Sequence, residues 1–261
     1  MSNSIVEIED TKCLFIFGWN PADSHPIIAR RVVKAKEKGA TIIVCDPRKI
    51  ETARIADLHV PLKNGSNVAF VNALMNVIIN EGLADKEFIE KYTTGFAELK
   101  AIVDNYPPEA VTEITGIDAE TIRKTARMYA TAPEGAGIYW GMGVCQFYQG
   151  VETVRALTSM ALITGNIGKP HTGVAPVRGQ NNVQGACDMG ALPNVFVGYQ
   201  SVTDPAMREK FAKAWGVPVE KMSPKVGHFL SEVATSASAG RLKAFYCMGE
   251  DPLQTEPDLS G

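Results

Sequence analysis

An apolar segment near the start of the chain ends in residues suited to binding phosphate. Residues 13–17 are apolar and end at Gly18, and the polar turn 19–24 precedes a predicted helix. Glycine lets a ligand approach the backbone, and the start of a helix offers unpaired N–H groups and a positive dipole end. The segment predicts a phosphate-binding corner. Because it lacks the G-x-G-x-x-G pattern, an ordinary turn that binds nothing is the alternative.

Two charged residues follow the next apolar run, 41–45. Asp46 comes directly after that run, and Arg48 lies two positions further on. A carboxylate at this position can accept hydrogen bonds from a ribose hydroxyl or a guanine edge, and a guanidinium offers a forked donor for phosphate. The pair is therefore a candidate site for a nucleotide.

A third candidate lies in a long polar segment, residues 165–190, which is dense in Gly, Asn, Pro and Gln and lacks helical periodicity. Arg178 stands there among glycines and amides. Such an arginine has little apolar mass to bury, so it suits the presentation of donors into a polar pocket. A long loop in a compact domain is usually functional, although a merely solvated loop is the alternative.

The elements that must position these residues predict an α/β fold. Short apolar strands at 13–17, 41–45, 58–62 and 136–140 alternate with helical patterns. Strand, turn, helix and strand in this spacing form a βαβ unit with parallel strands and a right-handed crossover. The predicted fold is a doubly wound, mostly parallel Rossmann-like sheet flanked by helices. The predicted helices cover about 25–37, 66–80, 85–92, 118–129, 149–164, 205–215 and 227–239, with another beginning at 107–108.

The end of the chain repeats the first corner. The apolar run 242–247 reads as a strand, and Gly249, Pro252 and Pro257 then match the spacing of Gly18, Pro21 and Pro26. Two such corners predict two related nucleotide-binding sheets. We expect a first α/β domain over residues 1–180 and an incomplete second one over 181–261.

Composition and residue spacing disfavour several classes of protein. The formal net charge is −3, which does not favour a nucleic-acid binder, and no apolar run has the length of a membrane span. No secretory signal is recognisable, so a cytoplasmic location is expected. The five cysteines lack C-x-x-C spacing and are interpreted as buried, reduced thiols. The four histidines follow no metal-ligand spacing and are interpreted as structural; no metal ligand is predicted in the chain.

Several segments together resemble the large (alpha) subunit of formate dehydrogenases, in the family of molybdenum and tungsten enzymes that use bis-molybdopterin guanine dinucleotide. The resemblance covers essentially the whole chain. The Q-F-Y-Q-G stretch 146–150 and the stretch 177–190 are more typical of formate dehydrogenases than of distant reductases. The matching segments are 18–26, 45–49, 63–67, 140–143, 146–150, 164–168, 177–190 and 248–252.

The resemblance implies a function, a cofactor and roles for residues. The function is oxidation of formate to carbon dioxide, with two electrons passed through the pterin to a [4Fe–4S] cluster. Arg178 matches an arginine that approaches the metal and orients the formate carboxylate, and Gln180 lies beside it near the pterin. The implied cofactor-binding residues are Gly18, Asn20, Asp23 and Ser24 for phosphates; Cys45, Asp46, Arg48, Asn64 and Gly65 for ribose and guanine; and Met142, Gly143, Gln146, Gly165, Asn166 and Gly168 for the pterin.

The sequence departs from the family pattern at both ends, and at the C-terminal end the family's pterin-capping domain is absent. The cluster ligands, the lysine between cluster and pterin, and the Cys or selenocysteine that binds the metal belong to an earlier segment. We expect an internal fragment, inactive alone, that requires the remainder of its chain and an electron-transfer subunit or domain. A selenocysteine codon read as a stop would explain a frame that begins at Met1.

Three alternatives remain open. One is another member of the family, such as a nitrate- or arsenate-type reductase, and the missing metal ligand would discriminate it. Another is a nicotinamide-dependent dehydrogenase, which the absent glycine fingerprint disfavours. The last is an inert nucleotide-binding or interaction module.

Overall fold

The chain forms two compact units, Met1–Gly179 and Gln180–Gly261. The computed structural model describes residues 1–255, so Pro257 of the predicted repeat lies outside the described residues. Each unit has its own secondary structure, and the predicted nucleotide corner belongs to the first unit.

Five strands of the first unit form a parallel sheet in the order β3-β2-β1-β4-β5. This order reverses direction between β1 and β4, as in doubly wound nucleotide-binding folds, where ligands bind beside the carboxyl ends of the strands at the reversal. The predicted fold class is confirmed. The strands are β1 (Cys13–Phe17), β2 (Thr41–Cys45), β3 (Leu58–Val60), β4 (Gly137–Trp140) and β5 (Gly173–Pro176).

Both faces of this sheet are buried, which explains why its strands read as continuous apolar runs. Phe15 and Phe17 of β1 pack into one core with the helices on their side, and Leu14 and Ile16 pack into a separate core on the other side. Successive side chains of a strand point to opposite faces, so a strand covered on both faces has no polar position.

Ten helices of the first unit surround the sheet, and most begin near the predicted residue. Asp85 and Asp118 accept backbone N–H bonds from Phe88 and Thr121, which satisfies donors that the helix starts leave unpaired. The helices are α1 (Pro21–Ser24), α2 (Pro26–Glu37), α3 (Glu51–Ile55), α4 (Asn67–Asn80), α5 (Lys86–Tyr92), α6 (Phe96–Val103), α7 (Pro108–Thr115), α8 (Ala119–Ala130), α9 (Met142–Cys145) and α10 (Gly150–Ile163). Helices α1, α3, α6 and α9 were not predicted.

The segment 165–190 is not a continuous loop. It contains β5 and, in the second unit, α11 (Val183–Asp188). Strand β5 pairs with β4 alone, and Pro176 is tolerated there because an edge strand leaves one row of its backbone groups outside the ladder.

The second unit differs from the prediction for its end. The apolar run 242–247 is not a strand, and the predicted helix 227–239 is reduced to α13 (Val233–Ser238) with a 3₁₀ turn before it. A strand forms where neighbours complete its hydrogen bonds, and the strands described in this unit form only a short antiparallel ladder with each other, to which Leu192 adds a single bridge. A second, similar α/β domain stays a prediction. The remaining elements are β6 (Val195–Phe196), β7 (Gln200–Ser201), α12 (Pro205–Trp215), a 3₁₀ turn (Val219–Lys221) and α14 (Pro252–Thr255).

Two further findings concern the described residues as a whole. Across residues 1–255, no helix has the length and apolar character needed to cross a membrane. Cys13, Cys45 and Cys187 are buried as expected, whereas Cys145 and Cys247 are exposed, so the interpretation of all the cysteines as buried was wrong for these two.

Candidate functional site

A cleft with polar and apolar lining lies at the carboxyl edge of the sheet in the first unit. Its volume is about 160 Å³, below the roughly 300–1,000 Å³ typical of a site that encloses a whole ligand, so it suits one end of a larger molecule. Loops that follow β1, β2, β3 and β4 all contribute. Its lining includes the predicted residues Gly18, Cys45, Asp46, Arg48, Asn64 and Gly143, together with Lys63, Asn67 and Phe147, which were not predicted.

Asp46 is the nearly buried carboxylate of this cleft, with 6% of its surface exposed. Its Oδ1 accepts the backbone N–H of Arg48 at 2.9 Å, and its carbonyl oxygen lies 2.9 Å from Nε2 of His59. The Arg48 side chain is 75% exposed, with Nε 4.0 Å from Asp46 Oδ1. The backbone thus fixes the carboxylate in place, while the guanidinium beside it is open to an anion.

Cys45 lines the same cleft but has an inert thiol. Burial raises the pKa of this thiol well above its usual range, and the side chain packs in the core. Its carbonyl oxygen accepts the N–H of Gly18 at 2.9 Å, which joins the ends of β1 and β2. The contribution of Cys45 to the cleft is therefore steric and structural.

Asn67 is the functional candidate that the sequence did not reveal. It is 6% exposed, and its Nδ2 is buried without a hydrogen-bond partner. A buried donor left unsatisfied destabilises a protein by roughly 1–3 kcal/mol, so an acceptor atom of a ligand would relieve a real penalty. Asn67 is the first residue of α4, where an asparagine reads as ordinary helix-start chemistry. Gly65 lies beside it in an adjoining depression.

Two predicted glycines hold the central loops together. The N–H of Gly143 donates to the carbonyl of Gly18 at 3.0 Å, and Gly18 has a φ of +54°. A Cβ on Gly18 would lie 2.7 Å from the carbonyl carbon of Gly143. Glycine is thus required here because two backbones meet at the reversal of strand order. Met142 and Gln146 flank Gly143 in the turn containing α9, which follows β4.

The predicted phosphate residues Asn20, Asp23 and Ser24 bond mainly to one another. Nδ2 of Asn20 donates to Asp23 at 2.6 Å, and the Ser24 hydroxyl lies 2.7 Å from the Asn20 carbonyl oxygen. The side-chain donors are used within the loop, whereas Oδ1 of Asn20 is a buried acceptor without a partner. The arrangement does not support phosphate binding by these side chains, and an unpaired acceptor suits an amino or hydroxyl group instead.

Gly165, Asn166 and Gly168 lie at the opposite end of the sheet from the cleft. They follow α10, and Oδ1 of Asn166 accepts the N–H of Ala136 at 3.1 Å, immediately before β4 begins. Its Nδ2 donates to Thr164 at 2.9 Å. The structure does not bring these residues to the predicted pterin side, and it gives Asn166 a structural role instead.

Arg178 follows the edge strand β5 and is exposed. The N–H of the preceding residue, Val177, donates to the carbonyl of Trp140 at 2.8 Å, so Arg178 leaves the sheet at its carboxyl edge. Its own carbonyl oxygen lies 2.6 Å from Nε2 of His25. Gln180, the residue predicted beside it, belongs to the second unit.

Comparison with known proteins identifies the family. The family model described as "Molybdopterin oxidoreductase" matches residues 1–260. The chain belongs to the molybdopterin oxidoreductase family. It is 63% identical, over 100% of its length and 36% of the relative's, to formate dehydrogenase H of Escherichia coli. It is 50% identical, over 99% of its length and 37% of the relative's, to the alpha subunit of F420-dependent formate dehydrogenase 1 of Methanococcus maripaludis.

A solved structure supports the same placement. Acetylene hydratase from Pelobacter acetylenicus matches 63% of this chain and 24% of its own, with a TM-score of 0.58 and 33% identity. The chain spans a little more than a third of the length of the two formate dehydrogenases that it matches.

Proposed function

We propose that this chain is part of the catalytic subunit of a formate dehydrogenase and holds one guanine-nucleotide end of a molybdopterin cofactor. The observation that carries the proposal is the high identity to formate dehydrogenases over the whole chain. The cleft at the reversal of strand order is consistent with it, because this is where doubly wound folds bind nucleotides.

The residues of the cleft fit the nucleotide end. Asp46 would accept hydrogen bonds from a ribose hydroxyl or the guanine edge, and the exposed Arg48 would pair with a phosphate. The unpaired Nδ2 of Asn67 would donate to an oxygen of the cofactor. Asn64 and Gly65 line the same region. Met142, Gly143 and Gln146 would lie along the cofactor at the end of β4.

In this proposal Arg178 binds the substrate. Formate is a small carboxylate, and a guanidinium can bind both of its oxygens and so fix the direction of its C–H bond. When bound, the metal and pterin supply the two-electron redox chemistry, and the protein supplies binding and orientation. Gln180 remains a candidate for the pterin side. The choice of molybdenum or tungsten, the [4Fe–4S] cluster and the electron-transfer subunit remain predictions for the whole protein.

The organisation of the chain is part of the same proposal. We infer that residues 1–180 are a pterin-guanine-dinucleotide domain and that residues 181–261 belong to a second domain of related type. The internal resemblance of the two Gly- and Pro-containing corners supports this inference.

The test is cofactor retention by a matched pair of variants. The protein is produced in a host that makes the pterin cofactor, and guanine nucleotide released by acid is quantified by mass spectrometry, with metal analysis on the same sample. Asp46→Asn keeps an acceptor for Arg48 N–H but removes the charge. The control is Asp57→Asn, because Asp57 likewise accepts a backbone N–H, from Ile42, but lies before β3 at the other end of the sheet.

We expect guanine nucleotide in the wild type and in the Asp57 variant. The Asp46 variant should bind it about 13- to 160-fold more weakly, because hydrogen bonds to charged groups contribute roughly 1.5–3 kcal/mol. Recovery of an adenine dinucleotide in place of guanine nucleotide would overturn the proposal in favour of a nicotinamide-dependent enzyme. Equal loss in both variants would show that the cleft is not the nucleotide site.

A further inference from the structure

His25 occupies a fixed position between two helices. It lies after α1 and before α2, and its N–H donates to the carbonyl of Pro21 at 2.9 Å. Its carbonyl oxygen accepts the N–H groups of Ile28 and Ala29, each at 2.9 Å. The backbone of His25 therefore belongs to both helices, and the imidazole starts from a well-defined point.

The neighbours of the imidazole determine which nitrogen carries its proton. Nε1 of Trp19, which is 2% exposed, lies 3.0 Å from Nδ1 of His25. An indole N–H only donates, so Nδ1 must be the accepting nitrogen. The Ser24 hydroxyl lies 2.8 Å from Nδ1 and 2.7 Å from the Asn20 carbonyl oxygen, and it can donate to either. In the neutral ring the proton is then on Nε2.

That proton points to the backbone of Arg178. Nε2 of His25 lies 2.6 Å from the carbonyl oxygen of Arg178, across 153 positions of sequence. Within the described residues, the last backbone hydrogen bond between β4 and the chain after β5 runs from the N–H of Val177 to the carbonyl of Trp140. Arg178 comes directly after that bond, and Gly179 follows Arg178. The imidazole therefore holds the peptide of Arg178 against the loop after β1, at a position one residue beyond that last backbone hydrogen bond from the sheet.

We infer that His25 is a positioning residue for Arg178. Its Nε2–H fixes the Arg178 peptide, and Trp19 fixes the tautomer that makes Nε2 the donor. The direction in which the guanidinium leaves the backbone is thereby set from β1, at the centre of the sheet, and not by the edge strand alone. The consequence for formate rests on the proposed function, whereas the anchoring itself does not.

Three variants separate anchoring from simple packing. His25→Gln places an amide N–H near the location of Nε2 and keeps the bond to Arg178. His25→Asn places an amide oxygen near the location of Nδ1, so the bond from Trp19 is kept, but the shorter side chain does not reach Arg178. His25→Leu removes both bonds while keeping an apolar side chain of moderate size.

The first measurement is limited trypsin cleavage of the Arg178–Gly179 bond, followed by mass spectrometry, which needs neither cofactor nor formate. We expect His25→Gln to be cleaved at about the wild-type rate, and His25→Asn and His25→Leu several-fold faster. The second is the KM for formate of the complete, cofactor-loaded enzyme that contains this segment, which should rise about 2- to 10-fold in the same two variants and recover in His25→Gln, as expected for loss of one neutral hydrogen bond.

The opposite order would overturn the inference. If His25→Asn behaves as wild type and His25→Gln is cleaved as fast as His25→Leu, the contact with Trp19 is what matters and His25 only packs the loop. Equal cleavage of all variants would also refute it. If His25→Leu does not fold, the Gln and Asn variants decide between the two roles. Cleavage that follows the expected order with an unchanged formate KM would uphold the anchoring and refute the role of Arg178 in formate binding.

Discussion

Replacing Gly18 with alanine tests whether the two central loops of the first unit are held by direct backbone contact. The new Cβ would lie 2.7 Å from the carbonyl carbon of Gly143 and 3.0 Å from its Cα, so backbone has to move. Gly18 also has a φ of +54°, a conformation that costs an alanine roughly 1–2 kcal/mol. Overpacking adds about 1–3 kcal/mol, so the expected loss in the free energy of unfolding is about 2–5 kcal/mol.

Gly168→Ala is the matched control. Gly168 has a φ of +76°, and a Cβ built on it meets nothing within 4 Å. The control therefore carries the backbone penalty without the steric one, and both substitutions reduce the entropy of the unfolded chain in the same way. The difference between the two variants isolates the steric contribution, which we expect to be about 1–3 kcal/mol.

Urea denaturation followed by tryptophan fluorescence measures the difference. In a Trp215→Phe background, the signal comes from Trp19 and Trp140, both nearly buried in the first unit. With a slope of about 2 kcal/mol per M, the midpoint for Gly18→Ala should lie about 0.5–1.5 M below that for Gly168→Ala. Equal midpoints would refute the reasoning, because they would mean that the loops after β1 and β4 separate freely.

Three further outcomes are expected. Asn67→Leu should leave the cofactor-free protein at least as stable as the wild type, since it removes an unpaired buried donor, yet it should weaken binding of guanine nucleotide about 2- to 13-fold. Calorimetric titration measures the binding, and lower stability with unchanged binding would contradict the prediction. Asn166→Ala should lower the free energy of unfolding by about 1–3 kcal/mol because the N–H of Ala136 loses its partner, and a urea midpoint equal to wild type would exclude that role. Thiol titration of the native protein should modify Cys145 and Cys247 rapidly, and the buried Cys13, Cys45 and Cys187 only after denaturation. Burial also raises the pKa of the Cys13 thiol to about 12 and that of the Cys45 thiol well above its usual range, and a third fast-reacting thiol would contradict the prediction.

Strands β1 and β2 could be predicted from the sequence to the residue and β3 and β4 to within two residues, whereas the edge strand β5 could not be predicted. Strands β1 and β2 are buried on both faces and appear as uninterrupted apolar runs. Strand β5 contains Gly173 and Pro176, which are poor strand formers, and it forms because β4 offers it a row of hydrogen-bonding partners. That information lies in the tertiary structure.

The site was predictable where a residue directly follows a strand. Asp46 follows β2, so its place at the carboxyl edge came from topology alone. Asn166 was assigned by resemblance, although it follows a helix that has crossed back over the sheet, and this order alone locates it at the amino edge. Asn67 was missed because an unpaired donor is a property of its buried surroundings, which no local pattern shows.

This distinction bears on how Arg178, the arginine proposed to bind formate, is held. Asp46 and Arg48, which are proposed for the nucleotide, follow the central strand β2, and backbone bonds such as those from Gly18 to Cys45 and from Gly143 to Gly18 tie the loops after the central strands together. Arg178 follows the edge strand, where a neighbour on one side is the rule, and an edge is the least constrained part of a sheet. A bond from His25, whose backbone is built into the helices after β1, provides a link to the centre that the ladder does not. Orientation of a small anion requires an accurately placed guanidinium, so an arginine on an edge strand needs such an anchor more than one on a central strand would.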